Sequence, residues 1–199
     1  MKKLADAKIC LCGAGAVGST LADALARQGL RSLRVIDRDR VEAHNVSTQI
    51  YTSEDAGALK TEALKDHLFL AAGIEIDAVG KELTAANAKK LLRGVELVID
   101  GFDNSSSRRA VTGACLAEGW ACLHVGLNAD YGEIRWNERY RVPGDAAAGD
   151  VCDYPLARNL VQLVTAVASE VVVRYLLSGA REDYSVTLKD LKVNREGEE

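Results

Sequence analysis

The strongest constraint on the fold is a glycine-rich turn near the N-terminus, Gly13-Ala14-Gly15-Ala16-Val17-Gly18. The turn follows a short apolar run over 7–12 and precedes 16–27, where apolar side chains recur at helical spacing. The first glycine permits a tight bend, the second lets a phosphate approach the backbone, and the third lets the helix pack closely on the strand. Because free N–H groups and the helix dipole favour an anion there, the turn predicts a nucleotide site.

Strand-like and helix-like segments alternate along the chain from residue 7 to about residue 127. We expect strands at 7–12, 33–37, 74–79, 95–102 and 121–127, and helices at 16–27, 58–72, 84–92 and 105–118. Thr84 is the expected N-cap of the third helix. This alternation predicts an α/β fold of the Rossmann type, a doubly wound and mostly parallel sheet with helices on both faces.

The pattern changes after residue 128, which indicates a C-terminal extension over 129–199 on a core of 7–128. The extension is predicted to hold a β segment at 131–142, a loop at 146–153, a long apolar helix at 156–177 and an edge strand at 184–193. We expect 1–199 to form a single domain. The apolar surface of the long helix leaves core burial, a dimer contact and a carrier-docking groove open.

Composition excludes several classes of protein. With 48% hydrophobic and 27% charged residues, the chain is typical of a globular protein. Its 25 basic and 29 acidic residues give a net charge of −4, which argues against a nucleic-acid-binding face. No apolar run is long enough to predict a membrane span, and the N-terminal residues lack a signal-peptide pattern, so we expect a cytoplasmic protein.

The cysteines do not form a recognisable framework. Five occur, at Cys10, Cys12, Cys115, Cys122 and Cys152. An odd count without a secretory signal argues against disulfides, and without a Cys-x-x-Cys pair we expect no structural zinc. Cys10 and Cys12 lie two apart in a strand, so we interpret them as small buried thiols on one face.

Polar side chains follow the predicted second and fourth strands in three blocks. They are Asp37-Arg38-Asp39-Arg40-Val41-Glu42-Ala43-His44-Asn45-Val46-Ser47-Thr48-Gln49, then Gly57-Ala58-Leu59-Lys60, then Asp100-Gly101-Phe102-Asp103-Asn104 with Arg108 after it. Asp37 alone suits a ribose in either an NAD-dependent oxidoreductase or an ATP-using enzyme. With the glycine turn, the blocks resemble in order and spacing the ThiF/MoeB/HesA family, the adenylating enzymes related to ubiquitin-activating enzymes. The resemblance covers 7 to about 110.

The resemblance implies an ATP-dependent adenylyltransferase acting on the C-terminal carboxylate of a ubiquitin-like sulfur carrier protein that ends in Gly-Gly. Such carriers serve thiamine or molybdopterin biosynthesis, and a small-molecule or peptide carboxylate stays open as substrate. The resemblance also implies Mg²⁺ and a homodimer. A carboxylate attacking the α-phosphorus of ATP brings two anions together, so the site needs cations where charge accumulates.

The resemblance and the chemistry together assign roles to individual residues. Lys60 neutralises phosphate oxygens, and Asp103, at the end of a strand, holds Mg²⁺; both are candidate catalytic residues. Asp37 binds the ribose, and Asn45 donates to phosphate or ribose. The nucleotide-binding set is completed by Gly13, Gly15, Gly18, Asp39, Gln49, Asn104 and Arg108. Taken singly, Lys60 could be a solvated lysine, and Asp103-Asn104 a helix cap.

Two departures from the family pattern bear on activity. Thr48 stands where the family has an arginine, whose charge threonine cannot replace. Eight residues precede Ile9, so we also expect the N-terminal helix that supplies an arginine in longer relatives to be missing. Substitutes for that charge are Arg38, Arg40 and Arg109. These departures favour, as an alternative, a nucleotide-binding pseudoenzyme or regulatory module; an NAD-dependent oxidoreductase is the third hypothesis.

Cys152 precedes the predicted long helix, where some members of the family carry a cysteine that transfers sulfur or forms a thioester. A position near a helix N-terminus lowers the pKa of a thiol, whereas the neighbouring Asp150 and Asp153 disfavour the thiolate. Cys152 is therefore a candidate nucleophile, with an incidental loop cysteine as the alternative.

Overall fold

The computed structural model describes residues 2–144 and 157–197. Its strands are β1 (Lys8–Cys12), β2 (Ser32–Ile36), β3 (Asp77–Val79), β4 (Leu97–Asp100), β5 (Cys122–Asn128), β6 (Tyr131–Trp136), β7 (Asp183–Thr187) and β8 (Lys192–Glu196). Its α-helices are α1 (Lys2–Asp6), α2 (Ala16–Arg27), α3 (Lys60–Ala72), α4 (Ala88–Leu92), α5 (Ser105–Glu118) and α6 (Ala157–Ser178). Short 3₁₀ helices cover Ala43–Ser47 and Ser53–Asp55.

The described strands form one eight-stranded sheet in the order β3-β2-β1-β4-β5-β6-β7-β8. The five strands from β3 to β5 are parallel, and β6, β7 and β8 are added antiparallel. This confirms a Rossmann-like, mostly parallel α/β fold with a C-terminal β segment and a long helix. The connections diverge between β1 and β4, and in such sheets ligands bind at the carboxyl ends of the strands at this point.

Helices cover both faces of the parallel strands, which explains the buried apolar runs in the central strands β1 and β4. On one face the sheet packs against α2, α3 and α6, and on the other against α4 and α5. Every residue of β4 is buried. The thiols of Cys10 and Cys12 lie within the second face, as predicted, together with Cys115 and Cys122.

Helix α6 is the longest helix of the described residues. Its segment Arg158–Ser178 is long and apolar enough to span a membrane by length and composition, a test that buried core helices also pass. In the fold it packs along α2 and contacts β6. Leu160, Val164, Ala168 and Val172 are buried there, so one face of α6 belongs to the core.

Three local predictions are wrong. The edge strand predicted at 184–193 is a hairpin of β7 and β8, with a turn in which Leu191 adopts a positive φ of 54°. Strand-like alternation on both sides of Lys189-Asp190 concealed that turn. Helix α4 begins at Ala88 after Asn87, three residues beyond the predicted cap at Thr84. A short helix, α1, precedes β1 where we expected none; its sequence KKLAD contains no arginine.

Candidate active site

A cleft of about 500 Å³ opens at the carboxyl ends of the parallel strands. Seven of the predicted site residues line it: Gly13, Gly15, Asp37, Asp39, Lys60, Asp103 and Asn104. The lining also includes Arg38, one of the predicted substitutes for the missing arginine. Six further lining residues were not assigned from the sequence: Lys81, Glu82, Leu83, Gly101, Phe102 and Ser107. The residues from Lys81 to Leu83 follow β3, and a motif search centred on the acidic strand ends does not detect them.

The three glycines of the turn have separate structural roles. Gly13 has a φ of +94°, and a Cβ there would lie 3.0 Å from the carbonyl oxygen of Gly101. A Cβ on Gly18 would lie 1.9 Å from the carbonyl oxygen of Gly13, so helix and strand need glycine to pack. A Cβ on Gly15 would meet no atom within 4 Å, and no side chain caps α2 at this residue. The open side of Gly15 therefore fits an approaching phosphate.

Asp37 holds the glycine turn in place. Its carboxylate accepts hydrogen bonds from the backbone N–H groups of Ala14 at 2.6 Å and Asp39 at 2.7 Å. Burial raises the pKa of Asp37, and these two hydrogen bonds oppose that shift. Asp37 thus shapes the turn in addition to lining the cleft.

Lys60 is a partly enclosed cation at the start of α3. Its residue is 9% exposed, and its Nζ lies 3.5 Å from Oδ2 of the exposed Asp39. The hydroxyl of the buried Tyr51 donates to the carbonyl oxygens of Ala14 at 2.7 Å and Lys60 at 3.2 Å. Tyr51, which the sequence reasoning missed, therefore joins α3 to the glycine turn. The solvated alternative for Lys60 does not hold.

Asp103-Asn104 was considered both as a ligand-binding pair and as a helix cap, and the structure assigns these two roles to different residues. Oδ1 of Asn104 accepts a hydrogen bond from the N–H of Ser107 at 2.9 Å, so Asn104 is the N-cap of α5. Asp103 is exposed at the cleft, and its carboxylate oxygen lies 3.4 Å from Nδ2 of Asn104. The carboxylate of Asp103 is the one that a ligand can reach.

Four members of the predicted nucleotide-binding set lie outside the cleft lining: Gly18, which packs against Gly13, and the side chains of Asn45, Gln49 and Arg108. Oδ1 of the buried Asn45 accepts from the N–H of Glu42 at 2.9 Å, within a local turn. Gln49 is 4% exposed, and its buried Oε1 has no partner among the described residues. Arg108 donates to the hydroxyl of Tyr140 and to the carbonyl oxygen of Val125. These three side chains are buried within the protein. Their contacts with a nucleotide therefore remain predictions.

The structure also shows the surroundings of Thr48, the position at which the family has an arginine. Thr48 is 4% exposed and carries no charge. Nη1 of Arg158, in the first turn of α6, donates to the carbonyl oxygen of the adjacent Ser47 at 3.4 Å. Of the proposed substitutes, Arg38 lines the cleft and pairs with Glu82 at 2.8 Å, and Arg40 donates to Gly57. Cys152 lies outside the described residues.

The charges of the lining suit a nucleotide that arrives with a cation. The carboxylates are Asp37, Asp39, Glu82 and Asp103, and the cations are Arg38, Lys60 and Lys81. The described residues hold no group of three or more His, Cys, Asp or Glu side chains placed to bind a metal. Mg²⁺ in nucleotide sites is commonly held by one or two carboxylates together with phosphates, and the exposed carboxylate of Asp103 fits that role.

The fold and the cleft define an α/β protein of the Rossmann type, with a glycine-rich turn at its cleft. The model of the ThiF family matches residues 1–178, and the chain belongs to this family. It is 32% identical over 135 residues to the sulfur carrier protein ThiS adenylyltransferase of Bacillus subtilis, covering 66% of this chain and 40% of that protein. It is 30% identical over 161 residues to ubiquitin-like modifier-activating enzyme 5 of Drosophila ananassae, covering 73% and 40%.

Solved structures share the fold at low sequence identity. The complex of E. coli MccB with MccA-N7isoASN has a TM-score of 0.83 and 16% identity, covering 98% of this chain and 66% of that one. A structure of PaaA has a TM-score of 0.76 and 18% identity, covering 98% and 65%. The chain thus spans about two fifths of the length of its curated relatives and under two thirds of that of these structures.

Proposed function

We propose that this chain is an ATP-dependent adenylyltransferase that activates the C-terminal carboxylate of a ubiquitin-like sulfur carrier protein ending in Gly-Gly. The observation that carries the proposal is the meeting, in one cleft, of the open glycine turn, the enclosed Lys60 and the exposed Asp103. The Bacillus subtilis relative is named as an adenylyltransferase for the sulfur carrier protein ThiS, which supports this substrate class. Mg²⁺, a homodimer and a cytoplasmic location belong to the same proposal.

In the proposed reaction, an oxygen of the carrier carboxylate attacks the α-phosphorus of ATP. A new P–O bond forms, the bond between the α-phosphorus and its bridging oxygen breaks, and pyrophosphate leaves. The N–H groups at the start of α2 bind phosphate oxygens, and Asp37 keeps the turn in shape. Lys60 offsets the charge that builds up on the phosphates. Asp103 would hold Mg²⁺, which supplies further positive charge to the leaving pyrophosphate.

Pyrophosphate exchange tests the proposal directly. We expect labelled pyrophosphate to enter ATP only when Mg²⁺ and a competent carrier are both present. The matched control is the same carrier without its last two glycines, which should give no exchange. Co-purification of a small Gly-Gly-ending protein with this chain would identify the carrier. Exchange that survives Asp103→Ala would overturn the role assigned to Asp103.

A nucleotide-binding module without catalysis is the second candidate. The buried, uncharged Thr48, at the position where the family has an arginine, favours it. ATP binding with no adenylate formed across a panel of carriers would support this alternative, and adenylation that appears with Thr48→Arg would indicate a degraded active site. Tight NAD binding without ATP binding would instead favour the oxidoreductase.

A further inference from the structure

A buried polar cluster lies directly behind the cleft, formed by Asp100, His124, Arg108 and Tyr140. Asp100 ends β4, and His124 lies beside it on β5 in the parallel register. Both side chains are fully buried, and Nδ1 of His124 is 2.9 Å from Oδ2 of Asp100. We assign the donor role to Nδ1–H of His124 and the acceptor role to the carboxylate of Asp100, which also accepts a hydrogen bond from the N–H of Phe102.

The remaining members hold the His124 ring in one orientation. The ring stacks on Tyr140 with 3.8 Å between centroids and 11° between planes. Arg108 donates to the Tyr140 hydroxyl at 2.7 Å, and its Nη1 lies 3.9 Å from Oδ2 of Asp100. Burial lowers the pKa of Arg108, but Asp100 and Tyr140 outweigh burial and raise it above its ordinary value. The cluster thus joins β4, β5, α5 and the segment after β6.

Asp100 connects this cluster to the turn that lines the cleft. Its other carboxylate oxygen, Oδ1, accepts a hydrogen bond from the N–H of Phe102 at 3.1 Å. The N–H of Gly101 donates to the carbonyl oxygen of Cys12 at 2.9 Å, and Gly101 lies against Gly13. The orientation of the Asp100 carboxylate therefore sets the path of the turn that carries Phe102 and Asp103, which both line the cleft.

We propose that His124 is a positioning residue for this turn, acting through its hydrogen bond to Asp100. A leucine would fill a similar volume, and it would avoid the unfavourable burial of Nε2, which has no partner among the described residues. What leucine lacks is the Nδ1–H that orients Asp100 and, through it, the turn that presents Asp103. The catalytic consequence rests on the adenylyltransferase function proposed above; the structural consequence does not.

Two substitutions of His124 separate the hydrogen bond from packing. His124→Asn keeps an N–H donor near the position of Nδ1, whereas His124→Leu keeps bulk without a donor. Val172→Ala, buried on α6 and not a member of the cluster, is the control for a general loss of packing. Each variant is measured for hydrogen exchange of the Phe102 amide, ATP affinity with Mg²⁺ by calorimetry, pyrophosphate exchange and thermal unfolding.

We expect His124→Leu to speed exchange of the Phe102 amide and to lower both ATP affinity and kcat by about tenfold, as for other supporting residues. His124→Asn should stay within about threefold of the wild type, and Val172→Ala should lower the Tm while leaving these readouts unchanged. Should His124→Leu not fold, His124→Phe takes its place, since it keeps an aromatic ring against Tyr140 and has no hydrogen-bond donor.

The proposal is overturned if the variant without the donor matches the wild type at the Phe102 amide, or if its losses equal those of Val172→Ala. It is also overturned if His124→Asn behaves as His124→Leu does. If the wild type shows no pyrophosphate exchange with any carrier, the proposed function fails; the Phe102 amide and ATP affinity still decide the role of His124.

Discussion

The cleft and the buried cluster behind it use similar side chains in opposite ways. Apart from the buried Asp37, the charged side chains of the cleft are exposed or loosely paired, as for Lys60 and Asp39 at 3.5 Å. In the cluster, Asp100 and His124 are inaccessible, and their hydrogen bond is 2.9 Å long. Asp100 and Asp103 lie only three residues apart in one motif, and yet one shapes a turn and the other faces the cleft. A motif residue is therefore a ligand-contacting residue only if its side chain reaches the surface.

Asp100 and Asp103 give the largest expected difference. Asp103→Ala should reduce pyrophosphate exchange by about a hundredfold or more, because the carboxylate proposed to hold Mg²⁺ is lost and with it the cation that would offset the phosphate charge. Its unfolding free energy should change by less than about 0.5 kcal/mol, as for an exposed side chain. Asp100→Ala should instead lower the unfolding free energy by about 3–5 kcal/mol, because it leaves the Arg108 charge buried without its carboxylate. Urea denaturation measures the unfolding free energies of both variants. Equal stability of the two variants would contradict the distinction between the exposed Asp103 and the buried Asp100.

Gly18 and Gly15 give the next largest difference, within a single turn. The methyl group of Gly18→Ala would meet the backbone of Gly13 at 1.9 Å, so we expect a loss of about 1–3 kcal/mol or more in stability. The methyl group of Gly15→Ala would meet no atom within 4 Å, and the φ of −77° at this position suits alanine. The Tm of this variant should therefore equal that of the wild type. Its ATP affinity should nonetheless fall about tenfold, because the methyl group occupies the phosphate approach. A Gly15→Ala variant that binds ATP normally would contradict this placement.

Arg108 offers a direct test of the nucleotide role predicted from the motif. Arg108→Lys retains the charge but loses the forked donor geometry that reaches both Tyr140 and the Val125 carbonyl oxygen. We expect a loss of about 1–3 kcal/mol in stability, read from urea denaturation, with ATP affinity changed less than about threefold. A large fall in ATP affinity at unchanged stability would instead support the predicted place of Arg108 in the nucleotide-binding set.

The smallest expected effect concerns pH and Asp37. Burial raises the pKa of Asp37 in the folded chain, so protonation of this carboxyl favours the folded state. That contribution is fully present below about pH 3.9 and is lost as the pH rises through the folded-state value. Asp37→Asn cannot titrate, so the stability gap between the wild type and this variant should be wider near pH 4 than at pH 7. Urea denaturation at both pH values measures it, with exposed Asp103→Asn as the control.

The sequence predicted the parallel half of the molecule well and the antiparallel half less well. Helices α2 and α5 begin and end where predicted, because glycine turns and polar caps mark their boundaries. The hairpin of β7 and β8 was predicted as one strand, because alternation persists on both sides of its turn. Strand pairing depends on distant residues, which local patterns do not encode.

For the candidate site, the order and spacing of the motifs were enough to predict that the glycine turn, Asp37, Lys60 and Asp103 line one cleft. Parallel strands place their carboxyl ends at a common edge, so residues at those ends meet regardless of their distance along the chain. Which of the motif side chains are buried could be learned only from the tertiary structure. Packing enclosed Asn45, Gln49 and Arg108, and it placed His124 behind the cleft beside Asp100. Local sequence determines which side chains lie at the edge of the sheet. Close packing of α5, β5 and the segment at Tyr140 determines which of these side chains are accessible to a ligand.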